Sequence, residues 1–145
     1  MVGAGDGGWP MSANLKALLK PAHTSDWHTP RALYRELDKE FGFTMDPCKP
    51  GDFGGLQARW HGVVWCNPPY GRTIGKWIAR GWSAAREGGA TVVMLLPSRT
   101  DTSWWHDYCM TGEIRFIRGR LRFGDAKNSA PFPSVIVIFR PGVRP

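Results

Sequence analysis

Asn67-Pro68-Pro69-Tyr70 follows directly on the apolar run Val63-Val64-Trp65-Cys66. An asparagine side-chain oxygen accepts one hydrogen of an exocyclic amino group. The carbonyl of the next residue, carried on a rigid prolyl backbone, accepts the other. An aromatic face beside them can stack on the ring that bears the amine, as enzymes acting on extruded nucleobases require. Two prolines and an aromatic also make an ordinary strand-ending turn, but a turn needs neither an amide nor a ring at that edge.

Other residues could serve such chemistry from strand ends. Asp46-Pro47-Cys48 follows Phe43-Thr44-Met45, which reads as a short strand. Strand-to-loop boundaries are where open α/β sheets bind ligands, although Asp-Pro also initiates turns. Arg99, Asp101, Trp104, Trp105 and His106 follow the strongest strand signal, Thr91 to Leu96, which Pro97 stops. For His106 the plainer reading is a surface residue, and for the two tryptophans a closed core. Arg115, Arg118, Arg120, Arg122 and Lys127 concentrate the positive charge. Arg120-Leu121-Arg122-Phe123 alternates cleanly, so as a strand it would send both arginines from one face, either to solvent or along a nucleic-acid backbone.

The elements that must position these groups can be traced from pattern. Thr29-Pro30 predicts a helix start, with the hydroxyl at the cap and proline in the first turn. Leu33, Leu37 and Phe41 follow on one face, and Gly42 predicts the stop. Val63 to Cys66 predicts a strand buried on both faces. After Gly71, a helix is expected with Ile74, Trp77, Ile78, Trp82 and Ala85 on one stripe, ended by Gly88-Gly89. A short helix from about Thr102 to Met110 and strands at Glu113 to Ile117, Arg120 to Phe123 and Ser134 to Phe139 complete the chain. Helices alternating with short apolar strands argue for an α/β domain, parallel at first, with closing strands too close in sequence for helical crossovers and so antiparallel.

Composition bounds the rest. The 145 residues suit one domain, here residues 25–145 behind a glycine-rich, flexible segment 1–24 in which Ser12 could cap a short helix docked through Leu15, Leu18 and Leu19. No apolar run reaches about 18 residues, which argues against a membrane span. Three widely spaced cysteines show neither a disulfide framework nor metal-ligand spacing, so free thiols in a reducing compartment are expected and no metal is. A net charge of +7 favours a polyanionic partner.

The ordered series Trp27-His28-Thr29-Pro30, Asp46-Pro47-Cys48, Asn67-Pro68-Pro69-Tyr70-Gly71, Leu96-Pro97-Ser98-Arg99-Thr100-Asp101-Thr102, Trp104-Trp105-His106, Gly119-Arg120-Leu121-Arg122-Phe123 and Pro131-Phe132-Pro133-Ser134 resembles the phage-type DNA N6-adenine methyltransferases, over residues 25 to 140. The resemblance implies a shortened Rossmann-like sheet, mostly parallel, and S-adenosyl-L-methionine as methyl donor. It implies catalysis at Asn67, Pro68, Pro69 and Tyr70, and a cofactor site drawn from Trp27, Thr29, Pro30, Asp46, Pro47, Cys48 and Asn67. DNA with an extruded adenine is the implied substrate, with Arg99, Arg118, Arg120, Arg122 and Lys127 as expected backbone contacts, in the cytoplasm of a bacterial or phage-infected cell.

The chain departs from that pattern in one region. Only residues 47–66 separate Asp46 from Asn67, short of the roughly 30 residues of a strand-helix-strand unit. Strands that would hold the cofactor's ribose and adenine are therefore missing; Asp52, Phe53 or a second subunit, as in a homodimer, are the available substitutes. No target-recognition segment stands apart, so specificity is expected from short loops, from residues 124–133 or from a partner copy. Asn67 favours adenine or a glutamine amide over cytosine N4. RNA adenine, those other amino groups, and an inactive nucleic-acid-binding remnant stand as the alternatives.

Overall fold

The computed structural model describes residues 28–49, 54–123 and 129–142. Trp27, Asp52, Phe53, Lys127 and the proposed N-terminal helix lie outside the described residues. The elements are α1 (Arg31–Phe41), β1 (Val63–Cys66), α2 (Ile74–Arg86), β2 (Thr91–Pro97), α3 (Ser103–Asp107), a 3-10 turn (Cys109–Thr111), β3 (Glu113–Phe116) and β4 (Ser134–Phe139). The four strands form one sheet in the order β1-β2-β4-β3. Among the described residues, no helix is long and apolar enough to cross a membrane.

The sheet order explains the two kinds of strand sequence. Central β2 and β4 are buried almost without interruption, matching their continuous apolar runs, whereas edge strand β3 is only half-covered. The α/β expectation holds, but parallel pairing is confined to β1 with β2 and to the single bridge Met45↔Val64; the remaining neighbours are antiparallel. A mostly parallel sheet is thus corrected to a mixed one. The chain is too short between Asp46 and Asn67 to add further crossover strands.

The chain divides into two compact units, residues 1–42 with 115–135, and residues 43–114 with 136–145. In the first, α1 buries Leu33 and Leu37 and ends at Gly42, whose φ of 70° is the left-handed conformation that glycine adopts freely. Its start is one residue later than expected: Pro30, with an extended ψ of 128°, is the N-cap, and its carbonyl accepts the N–H of Tyr34 at 3.0 Å. Thr29 therefore does not cap the helix. Arg120 to Phe123 is not a strand, because its described backbone pairing is one bond, from Ala130 N–H to the Leu121 carbonyl at 2.7 Å. The alternation survives as burial: Leu121 and Phe123 are buried, Arg120 and Arg122 exposed.

In the second unit, α2 lies close to β2. Gly81 faces Met94 and Val92, where an added Cβ would come within 3.0 Å of the Met94 sulfur. Ile74, Trp77, Ile78 and Ala85 are buried as expected, but Trp82 is half-exposed, its indole N–H donating to Thr111 Oγ1 at 3.1 Å. Trp60, which no periodic pattern marks, is a core residue. Its indole N–H donates to the Gly55 carbonyl at 2.8 Å, its ring packs 6.1 Å from that of Trp77, and Arg80 lies over it.

Candidate active site

Three segments of the second unit run side by side and in the same direction, so their carboxyl ends share one sheet edge. Phe43 to Met45 makes a single bridge rather than the expected strand, yet it is firmly tied to β1. Thr44 N–H donates to the Val63 carbonyl at 2.8 Å, Val63 N–H to Thr44 Oγ1 at 3.0 Å, and Trp65 N–H to the Met45 carbonyl at 2.9 Å. β1 pairs in register with β2 from Val63↔Thr91 to Cys66↔Met94. Chain direction alone thus delivers Asp46, Asn67 and Ser98-Arg99 to the same edge, the position at which open α/β sheets bind ligands.

Asp46 is half-buried, and one carboxylate oxygen accepts the Cys48 N–H at 3.0 Å. The turn reading of Asp-Pro is therefore met, and it orients the carboxylate rather than displacing it. Pro47 is buried, and Gly55 lies directly against its carbonyl. A Cβ on Gly55 would collide with that oxygen and come 2.8 Å from the Trp77 ring. The glycines after Asp46 thus include one needed for close backbone approach, here to the Asp-Pro turn itself.

Cys48 and Cys66 form a disulfide with Cα atoms 5.7 Å apart, which corrects the expectation of free thiols. Sequence spacing could not show it, because the Met45↔Val64 pairing is what brings the two positions together. The cross-link joins the residue two after Asp46 to the residue before Asn67. Cys109 is free and buried, and burial pushes its thiol up to about 12.

The Asn67 side-chain oxygen is buried, Pro68 is buried, Pro69 is exposed and Tyr70 is half-buried. The Tyr70 hydroxyl donates to the Leu95 carbonyl of β2 at 3.3 Å, and burial of that end holds its phenol proton far above the ordinary range. The phenol is an anchor and stays protonated. This bond links the two strand ends and could not be read from local sequence.

Beyond β2, Arg99 and Asp101 are exposed, Trp104 is half-buried and Trp105 buried. Thr102 caps α3 by accepting the Trp105 N–H at 3.3 Å. His106 is exposed, and its Nε2 lies 2.8 Å from the Thr100 carbonyl, so it is bound to the loop rather than idle on the surface. Thr29, half-buried, and Pro30, buried, belong to the first unit, as do exposed Arg118, Arg120 and Arg122. Arg115 of the basic cluster is engaged in a two-pronged ion pair with Glu40, both bonds 2.7 Å, and lies over Phe41.

No curated protein and no solved structure matches the chain. A family model described as DNA N-6-adenine-methyltransferase (Dam) matches residues 16–145, nearly all of it. That match agrees with the acid, amide and ring gathered at one sheet edge, and the chain belongs to the DNA N-6-adenine-methyltransferase (Dam) family.

Proposed function

We propose that this DNA adenine-N6 methyltransferase takes its methyl group from S-adenosyl-L-methionine at the edge formed by Asp46, Asn67–Tyr70 and the loop after β2. The observation that carries the reading is the shared direction of three chain segments, which gathers the acid, the amide and the ring without any contribution from the other unit. On this reading residues 25–145 work as one methyltransferase domain with a shortened Rossmann-like sheet.

The donor set fits the cofactor's methionine end, because a half-buried, turn-held carboxylate suits an ammonium group. Pro47, Cys48 and Asn67 would line that end. When bound, S-adenosyl-L-methionine supplies an electrophilic methyl group on a sulfonium, so the chain needs no strong base. Asn67 Oδ1 and the Pro68 carbonyl accept the two amino hydrogens of an adenine swung out of the helix. Holding them in that geometry draws the nitrogen lone pair out of the ring system and toward the methyl group. Alignment of this kind contributes several kcal/mol to lowering a barrier. Tyr70 stacks on the base, a contact worth about 1–3 kcal/mol. Arg99, Arg118, Arg120, Arg122 and Lys127 contact the phosphate backbone.

The deciding measurement is nucleoside mass spectrometry of DNA and RNA incubated with the protein and labelled S-adenosyl-L-methionine. Labelled N6-methyladenine from DNA is expected. Label found in cytosine, in RNA alone, or nowhere would overturn the assignment.

A further inference from the structure

We propose that His106 is a positioning residue for DNA engagement, acting through the loop that carries Arg99. The inference rests on the assignment of Arg99 to the DNA backbone. β2 ends at Pro97, and the chain then turns sharply: Arg99 N–H donates to the Pro97 carbonyl at 2.9 Å, Thr100 N–H to Ser98 at 3.1 Å and Thr102 N–H to Arg99 at 3.2 Å. Two successive loop carbonyls are each held by a side chain of α3, one from its N-cap and one from its last turn. Thr102 Oγ1 donates to the Arg99 carbonyl at 2.8 Å, and His106 Nε2 lies 2.8 Å from the Thr100 carbonyl. A carbonyl can only accept, so the bond requires the hydrogen on Nε2.

The clasp stands on a rigid base. Trp105, between the two clasping residues, is buried and ties α3 down, while Thr102 caps the same helix. At the other end, the loop springs from β2 two residues beyond Leu95, the carbonyl that anchors Tyr70. Arg99 is thus presented, exposed, from a short loop pinned at both ends, four residues beyond the carbonyl that anchors Tyr70. A guanidinium that must meet a phosphate while the adjacent nucleotide is extruded loses less freedom on binding when its backbone is already held. His106 itself touches no reacting atom on this reading.

The test is steady-state methylation of a DNA duplex by the full chain, with DNA concentration varied. His106→Ala should raise the KM for DNA about fivefold with kcat within about twofold, the effect of losing one hydrogen bond that orders a binding group. His106→Gln, which keeps a donor at nearly the same reach, should restore most of the affinity. In an Arg99→Ala background, His106→Ala should add nothing, since both act through the same contact. An unchanged KM in His106→Ala, a fully additive double variant, or a loss confined to kcat would overturn the proposal. Should the alanine variant not fold, His106→Phe, which fills the space without a donor, takes its place: a raised KM that glutamine restores supports the clasp, and equal KM values for the two variants defeat it. If the wild-type chain methylates no DNA, the proposed function fails, and amide hydrogen exchange without DNA judges the clasp separately. Faster exchange at Thr100 and Asp101 in His106→Ala is then expected, and unchanged exchange would refute the clasp.

Discussion

The hydroxyl of Tyr70 spends its hydrogen on a strand carbonyl, and this separates two properties of one side chain. Tyr70→Phe keeps the ring but loses the 3.3 Å bond to Leu95, whereas Tyr70→Ala loses both. Alanine should cost about 1–3 kcal/mol of base binding, and phenylalanine no more than about 0.5–1.5 kcal/mol. Affinity for an oligonucleotide with an unpaired adenine, measured for both variants, checks the order. Equal losses would mean that the ring does not stack. At Asn67 the expectation is sharper. Asn67→Ala should lower kcat at least about a hundredfold, as loss of a transition-state acceptor does, while calorimetric binding of S-adenosyl-L-methionine changes little. Near-wild-type transfer would remove Asn67 from the chemistry.

At the scale of elements, the site depends on a turn stapled to a strand. Gly55 packs on the Pro47 carbonyl, and Cys48 is bonded to Cys66. Gly55→Ala forces a methyl group against backbone and the Trp77 ring, and should destabilise the protein by about 1–3 kcal/mol in chemical denaturation. The disulfide is checked by thiol counting with mass spectrometry. Of the three cysteines, only Cys109 should alkylate in the denatured, unreduced protein, and all three after reduction. Three adducts without reductant would show that Cys48 and Cys66 are thiols.

For the whole molecule, charge and burial set the response to solvent. Arg120→Ala should weaken DNA binding and flatten its dependence on salt by about one unit of slope. An unchanged slope would return Arg120 to the solvated surface. Alkaline pH probes the interior. Burial raises the Cys109 thiol from its ordinary 9.0 to about 12 in the folded chain. The unfolded chain therefore releases that proton first. The stabilising contribution is complete below pH 9 and is lost as pH rises toward 12. Tyr70 shifts in the same direction, so comparison with Cys109→Ala isolates the thiol: the wild type should lose stability more steeply above pH 9.

Strands β1, β2 and β4, the second helix and its Gly88-Gly89 stop were legible in residue order, because unbroken apolar runs and helical stripes are local properties. The Asn67–Tyr70 motif was legible for the same reason: four adjacent residues carry the donor–acceptor and stacking chemistry. Contacts distant along the chain were not. The Cys48–Cys66 bond, the Tyr70 anchor on Leu95, the burial of Trp60 and the hold of His106 on Thr100 all depend on which strand ends become neighbours or how a turn closes. Arg120 to Phe123 marks the boundary between the two. Its alternation foretold which side chains are buried, but a strand needs a partner ladder, and residue order could not say that none would form among the described residues.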